Sequence, residues 1–115
     1  MTHCSSMDIN EYQQMARRTA IYPNAGQNMT YPTLGLAGEA GEVAEKVKKV
    51  IRDKDGVFDD DARAAISKEL GDVLWYVAQI ASELGLDLSN VAQGNLDKLA
   101  DRAKRGTIKG NGDNR

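Results

Sequence analysis

One five-residue pattern occurs twice, thirty positions apart, as Glu39-Ala-Gly-Glu42-Val and Glu69-Leu-Gly-Asp72-Val. The apolar residues around it repeat in step: Leu36, Ala40, Val43, Val47 and Val50 lie over Ile66, Leu70, Val73, Val77 and Ile80. An α-helix turns about 100° per residue, so steps of three, four and seven put each set on a single helical face. Two long helices of this kind bury their stripes only against each other or against further helices. No stretch alternates with the period of a strand, and no Asn-Gly hairpin signal interrupts the pattern. The expected fold class is therefore all-α, a helical bundle.

The remaining elements follow from start and stop signals. Asp8, with Glu11 three residues on, caps a first helix expected over Asp8 to Ala20. Pro23 and Pro32 bracket a polar loop, and the second helix is expected from Thr33 to Arg52, closed by Asp53-Lys-Asp-Gly56. Asp59-Asp60-Asp61 suits the positive end of a third helix, which runs to a stop at Gly85. A fourth follows Asp87, carries Leu88, Val91, Ala92, Leu96, Leu99 and Ala103, and ends at Gly106. Nothing reads as a linker, so residues 1–115 are expected to form a single domain, with 1–6 and 107–115 flexible. The first and fourth helices are short for wrapping two long ones. Another subunit is expected to complete the core.

Several chemistries are excluded. Cys4 is the only cysteine and His3 the only histidine, which removes an internal disulfide, a Cys/His zinc site, Ser-His-Asp catalysis and a Glu-x-x-His di-iron centre. Neither residue is assigned a role. With 15 basic against 17 acidic residues the net charge is −2, which argues against a nucleic-acid polymer or an anionic membrane as partner. The longest apolar run, Val73 to Ala78, is far short of a membrane span, and the polar first residues lead us to expect no signal peptide. A cytoplasmic, reducing setting is expected.

Glu39 and Glu69 each lie roughly 75° off the centre of their stripe on the same flank, with Glu42 and Asp72 one turn on. Packing the stripes together directs four carboxylates toward one boundary. Crowded carboxylates repel and resist ionisation unless a cation joins them. Oxygen donors without histidine or thiol favour Mg²⁺, with Mn²⁺ as a substitute, and such a cluster suits two or three ions acting on phosphates. Gly41 and Gly71, each between the two acids of a pair, suggest close helix approach, because mid-helix glycine costs about 0.5–1 kcal/mol relative to alanine. The competing reading of an isolated Glu-x-x-Glu is a solvated face.

Further candidates surround this motif. Tyr76 follows Asp72 by one turn and can stack on a nucleotide or seal a subunit seam. Lys46 occupies the equivalent place on the second helix and can face the phosphates or pair with Glu42 at i, i+4, of which the pair is expected. On the fourth helix Asn95, Lys98, Arg102 and Arg105 form one stripe suited to phosphate or sugar contact, or to the helix C-terminus. Tyr22, Asn24, Gln27, Asn28 and Tyr31 in the loop, and Gln13, Gln14 and Arg17 on the first helix, are candidates for recognising a base or are ordinary structural groups. Trp75 is read as an interface residue, and Lys109 belongs to a tail expected to fray.

From about Asp8 to Arg105 the chain resembles the MazG-type all-α nucleoside triphosphate pyrophosphohydrolases. The specific part is Leu34-Gly-Leu-Ala-Gly-Glu-Ala-Gly-Glu-Val43 together with Lys68-Glu-Leu-Gly-Asp-Val-Leu-Trp-Tyr76. The resemblance implies Mg²⁺-dependent hydrolysis of a (deoxy)nucleoside triphosphate to the monophosphate and pyrophosphate, with Glu39, Glu42, Glu69 and Asp72 as metal ligands. It implies a homodimer or homotetramer, and relatives with a similar stripe support substrate contact by Asn95 and Lys98. Small phage-type relatives imply dGTP as the favoured substrate and, for a phage-encoded protein, the host cytoplasm. Many relatives carry a second glutamate where this chain has Gly38, so the base is expected to be Glu45 or a metal-activated water. Two alternatives stay open: a phosphoribosyl-ATP pyrophosphohydrolase, and a non-catalytic helical module that binds nucleotide or protein.

Overall fold

The computed structural model describes residues 6–106. Expectations for His3, Cys4, Lys109 and the rest of 1–5 and 107–115 lie outside the described residues. Four helices and no strand occur among the described residues: α1 Ile9–Arg17, α2 Thr30–Asp53, α3 Asp60–Glu83 and α4 Leu88–Arg105.

Local chemistry sets each boundary. Asp8 accepts from the Glu11 backbone N–H at 2.8 Å while Glu11 accepts from the Asp8 N–H at 3.0 Å, closing the expected capping box. α1 stops at Arg17, short of Ala20, and the Thr19 hydroxyl donates to the Ala16 carbonyl at 2.7 Å as the chain turns. α2 begins three residues before the expected Thr33. Pro32 falls in its first turn, where no helical N–H bond is needed, and Asn28 Oδ1 accepts from the Tyr31 N–H at 3.0 Å. Asp59 caps α3 through the Ala62 N–H at 2.8 Å. Gly106 ends α4 at φ 74°, a left-handed conformation that favours glycine.

α2 and α3 form an antiparallel hairpin. Gly35 faces Tyr76, Lys46 and Ala65 line one cavity, and buried Val50 and Ala62 line the next. α1 lies against α3 and α4, where Ile9, Tyr12 and Val77 pack on buried Ala78, Ala81 and Leu88. Asp87 makes no side-chain cap for α4. Gln13 and Asn10 supply that function from α1: Gln13 Oε1 accepts from the Leu88 N–H at 2.8 Å and Asn10 Oδ1 from the Ser89 N–H at 3.0 Å. Gln13 Nε2 also donates to Ser82 Oγ and the Leu86 carbonyl. Buried Gln13 is thus committed to the fold, which corrects its candidacy for base recognition.

One chain leaves much apolar surface open. Leu34, Leu70, Leu84, Leu86 and Leu96 are exposed, and a groove of about 270 Å³ is lined by Leu36, Val77, Ile80, Leu84, Leu88 and Val91 with their neighbours. The radius of gyration, 16.9 Å, exceeds the roughly 13 Å of a compact domain this size. No described helix is long and apolar enough to cross a membrane.

Candidate metal and nucleotide site

The hairpin register sets Glu39 opposite Asp72 and Glu42 level with Glu69. Carboxylate oxygens of Glu39, Glu69 and Asp72 all lie within 4.8 Å of one another, and among the described residues this is the one cluster of its kind. Partial burial, the charge of Asp72 and a hydrogen bond with Glu69 raise the Glu39 pKa above the ordinary carboxylate range. Glu39 therefore resists ionisation, and a hard divalent cation would relieve the crowding through the oxygen donors present. Glu42 is exposed and outside the trio, although its charge also acts on Glu39. Glu45 pairs with Lys48 at 3.2 Å, and that lysine holds its carboxyl below the usual range. A carboxylate so held is poorly placed to take a proton at neutral pH.

Aromatic rings border the acids. Tyr76 lies edge-on to Trp75 at 5.0 Å between centroids and tilted against Tyr31 at 6.5 Å, and Tyr31 stacks on Tyr22 at 4.9 Å. Burial first, then Tyr31, and then the charges of Glu39 and Asp72 raise the Tyr76 phenol. Trp75 donates from Nε1 to Thr19 Oγ1 at 2.8 Å, so it tethers the end of α1 to α3 within the chain, besides the interface role expected for it.

The close helix approach falls at Gly35, where a Cβ would overlap the Tyr76 ring. Gly41 and Gly71 meet open space, which corrects the expectation placed on them. Two alanine substitutions should consequently have opposite signs in thermal melts. Gly35→Ala is expected to destabilise by about 1–3 kcal/mol through overpacking and to displace Tyr76. Gly41→Ala is expected to stabilise by about 0.5–1 kcal/mol through helix propensity. Equal responses at the two positions would contradict this placement of Tyr76.

The sequence reading missed Glu83. Its side chain is 1% exposed and accepts from Arg17 Nη2 at 3.1 Å, the Gly26 N–H at 2.7 Å, the Asn28 N–H at 3.0 Å and the Tyr22 hydroxyl. These donors, the Tyr22 hydroxyl foremost, hold its carboxyl at about 2. Arg17 also donates to Tyr22 and Gln79. One signal was available: an acid in the last turn of α3 opposes the helix dipole and needs a partner. Asn28 donates from Nδ2 to the Pro23 carbonyl at 2.8 Å, so its amide staples the loop. Arg17, Tyr22 and Asn28 thus serve the fold first. Asn24 and Gln27 remain exposed.

The sequence model of the MazG nucleotide pyrophosphohydrolase domain matches residues 27–107, which take in all of α2, α3 and α4. The chain belongs to this MazG family. It is also similar to "Gene 37 protein" of Mycobacterium phage L5, 54% identical over 95% of this chain and 100% of that protein. No solved structure matches it.

The MazG match stops short of α1, and Gln14 on that helix lies apart from the carboxylates. It lines a cleft of about 640 Å³ with Asn10, Arg17, Ser82, Leu86 and Asp87. Ser82 is ten residues past Asp72, about 15 Å along α3. α4 packs chiefly on α1. On it Asn95 is exposed, Lys98 is half-buried, Arg102 is 8% exposed, and Arg105 pairs with Asp101 at 2.8 Å. The carboxylate trio itself is built from α2 and α3 alone.

Proposed function

We propose that this MazG protein hydrolyses a (deoxy)nucleoside triphosphate to the monophosphate and pyrophosphate. The observation that carries the reading is the trio Glu39, Glu69 and Asp72, whose oxygens converge and in which burial, then the neighbouring acids, raise Glu39. Mg²⁺, with Mn²⁺ as substitute and two or three ions in all, would be held by these acids with Glu42 joining by rotation of its exposed side chain. Bound there, the metal supplies Lewis acidity at the α-phosphate and an activated water.

The chain's own residues do the rest. Tyr76, held over Gly35 and against Tyr31, offers a ring face or hydroxyl to the nucleoside. Water oxygen bonds to the α-phosphorus, the bond to the α–β bridging oxygen breaks, and its electron pair leaves with pyrophosphate. The proton passes to solvent or an acid of the site; with Glu45 held by Lys48, the activated water is favoured over a Glu45 base.

A second copy of the chain is proposed to cover the apolar groove, giving a homodimer or homotetramer. The exposed leucines and extended dimensions support this reading, and a monomer in sedimentation at micromolar concentration would remove it. A second copy is also the proposed route by which Asn95, Lys98, Arg102 and Arg105 of α4 reach phosphate or sugar. dGTP is the proposed substrate on likeness to small phage proteins, and the mycobacteriophage relative supports action in a host cytoplasm. A product-resolved panel of common nucleoside triphosphates with Mg²⁺, plus phosphoribosyl-ATP, tests the substrate. Pyrophosphate is expected with dGTP as the preferred nucleotide. Turnover of phosphoribosyl-ATP alone, or of nothing, would overturn the assignment.

A further inference from the structure

The face of the hairpin that carries the acids has a direction. At one end Tyr31 and Tyr76 border Glu39 and Asp72. Beyond the acids, away from the rings, Glu69 forms the near wall of a cavity of about 290 Å³, with Lys46, Lys68, Asp61, Ala64 and Ala65 around it. The expected Lys46–Glu42 pair does not form, and neither Lys46 nor Lys68 has an ion-pair partner among the described residues. Three other cations of the hairpin are occupied, Lys48 by Glu45, Arg52 by Asp53 and Lys54 by Asp59, while Lys49 and Arg63 make no ion pair among the described residues but do not line this cavity. Lys46 is half-buried and Lys68 exposed, and both line the cavity.

Resting on the pyrophosphohydrolase reading, we infer that this cavity is the subsite for the pyrophosphate end of the substrate. Lys46 and Lys68 bind the β- and γ-phosphates. Lys46 lies four residues past Glu42 and seven past Glu39, about 6 Å and 10 Å along the helix, within reach of an anion whose α-phosphate sits among the carboxylates. Lysine suits this task as a mobile point charge for phosphate oxygens. Asp61, seven residues before Lys68 on α3 and so about two turns from it, repels negative charge at the far end and limits the anion to a short one. The order rings, acids, lysines thereby fixes which way the nucleotide lies: nucleoside toward Tyr76, leaving group toward Lys46. It also gives a reason for hydrolysis at the α-phosphate, since the lysines stabilise charge that develops on departing pyrophosphate.

Calorimetry with inorganic pyrophosphate and Mg²⁺ tests the subsite without turnover. The wild-type protein is expected to bind pyrophosphate, and the Lys46→Gln/Lys68→Gln double variant to bind at least about tenfold more weakly. Lys46→Arg/Lys68→Arg should restore most of the affinity, and Lys48→Gln, at an ion-paired lysine outside the cavity, should leave it unchanged. Equal affinity in the wild type and the double glutamine variant, or no binding by the wild type, would overturn the subsite. Lysine-dependent binding in a protein that releases pyrophosphate from no nucleotide would keep the subsite and remove the hydrolase reading. Nucleotide hydrolysis with a KM indifferent to the double substitution would do the reverse.

Discussion

Asp72→Asn is expected to lower turnover by about 10²–10³-fold, the loss typical when one group that supports transition-state charge stabilisation is removed. Its effects on stability run in opposite directions with and without metal. In chelator the variant should melt higher than the wild type, because Asp72 raises Glu39 and its removal relieves repulsion in the trio. With Mg²⁺ in hundredfold excess over its dissociation constant, the wild type gains about 2.7 kcal/mol by mass action and the variant should gain much less. Melting curves in chelator and in Mg²⁺ separate the two arms. A variant that melts lower than the wild type in chelator would mean the acids are not mutually repelling, and an unchanged Mg²⁺ response would mean that Asp72 holds no metal.

Glu83→Gln is expected to cost about 3 kcal/mol in chemical unfolding, since it removes a buried negative charge and leaves several donors aimed at an amide. For a domain near 100 residues, that loss lowers the melting temperature by more than about 10 °C. The wild-type carboxyl titrates near 2 in the folded chain and near 4.5 when unperturbed. Its stabilisation is therefore complete above about pH 4.5 and is lost as pH falls toward 2. The stability gap between wild type and variant should close over that interval. A gap that stays constant down to pH 2 would show that charge on Glu83 is not what holds the loop. The loop supports Tyr22, which stacks on Tyr31, so the nucleotide KM should rise in the variant more than kcat falls.

The helical architecture was legible because apolar period, acidic caps and glycine stops agree along the chain. Asp8, Asp59 and Gly106 act at the positions the sequence marked. α2 began early because a proline in a first turn breaks nothing, so Pro32 only looked like a barrier. The acids were legible as a duplicated spacing on one flank, and three of the four converge. Glu42, equal in sequence terms, faces outward because spacing fixes a helical face and leaves the rotamer free.

Tertiary pairing accounts for what stayed hidden. Nothing in the local sequence says that Gln13 caps a helix 75 residues away, or that Glu83 gathers a loop 55 residues upstream. Loop amides and phenols read alike whether they serve a ligand or the fold, and here Asn28 and Tyr22 serve the fold. Glycines at Gly41 and Gly71 suggested contact, while the contact formed at Gly35, because only the hairpin register decides which glycine faces a ring.

The central claim is that converged acids on α2 and α3 direct water to the α-phosphorus of a nucleoside triphosphate. Hydrolysis with Mg²⁺ in isotopically labelled water, followed by mass analysis of both products, tests it most directly. The account predicts one labelled oxygen in the monophosphate, none in the pyrophosphate, and little product from Asp72→Asn. Label in pyrophosphate, release of orthophosphate, or the same product yield from wild type and variant would contradict it.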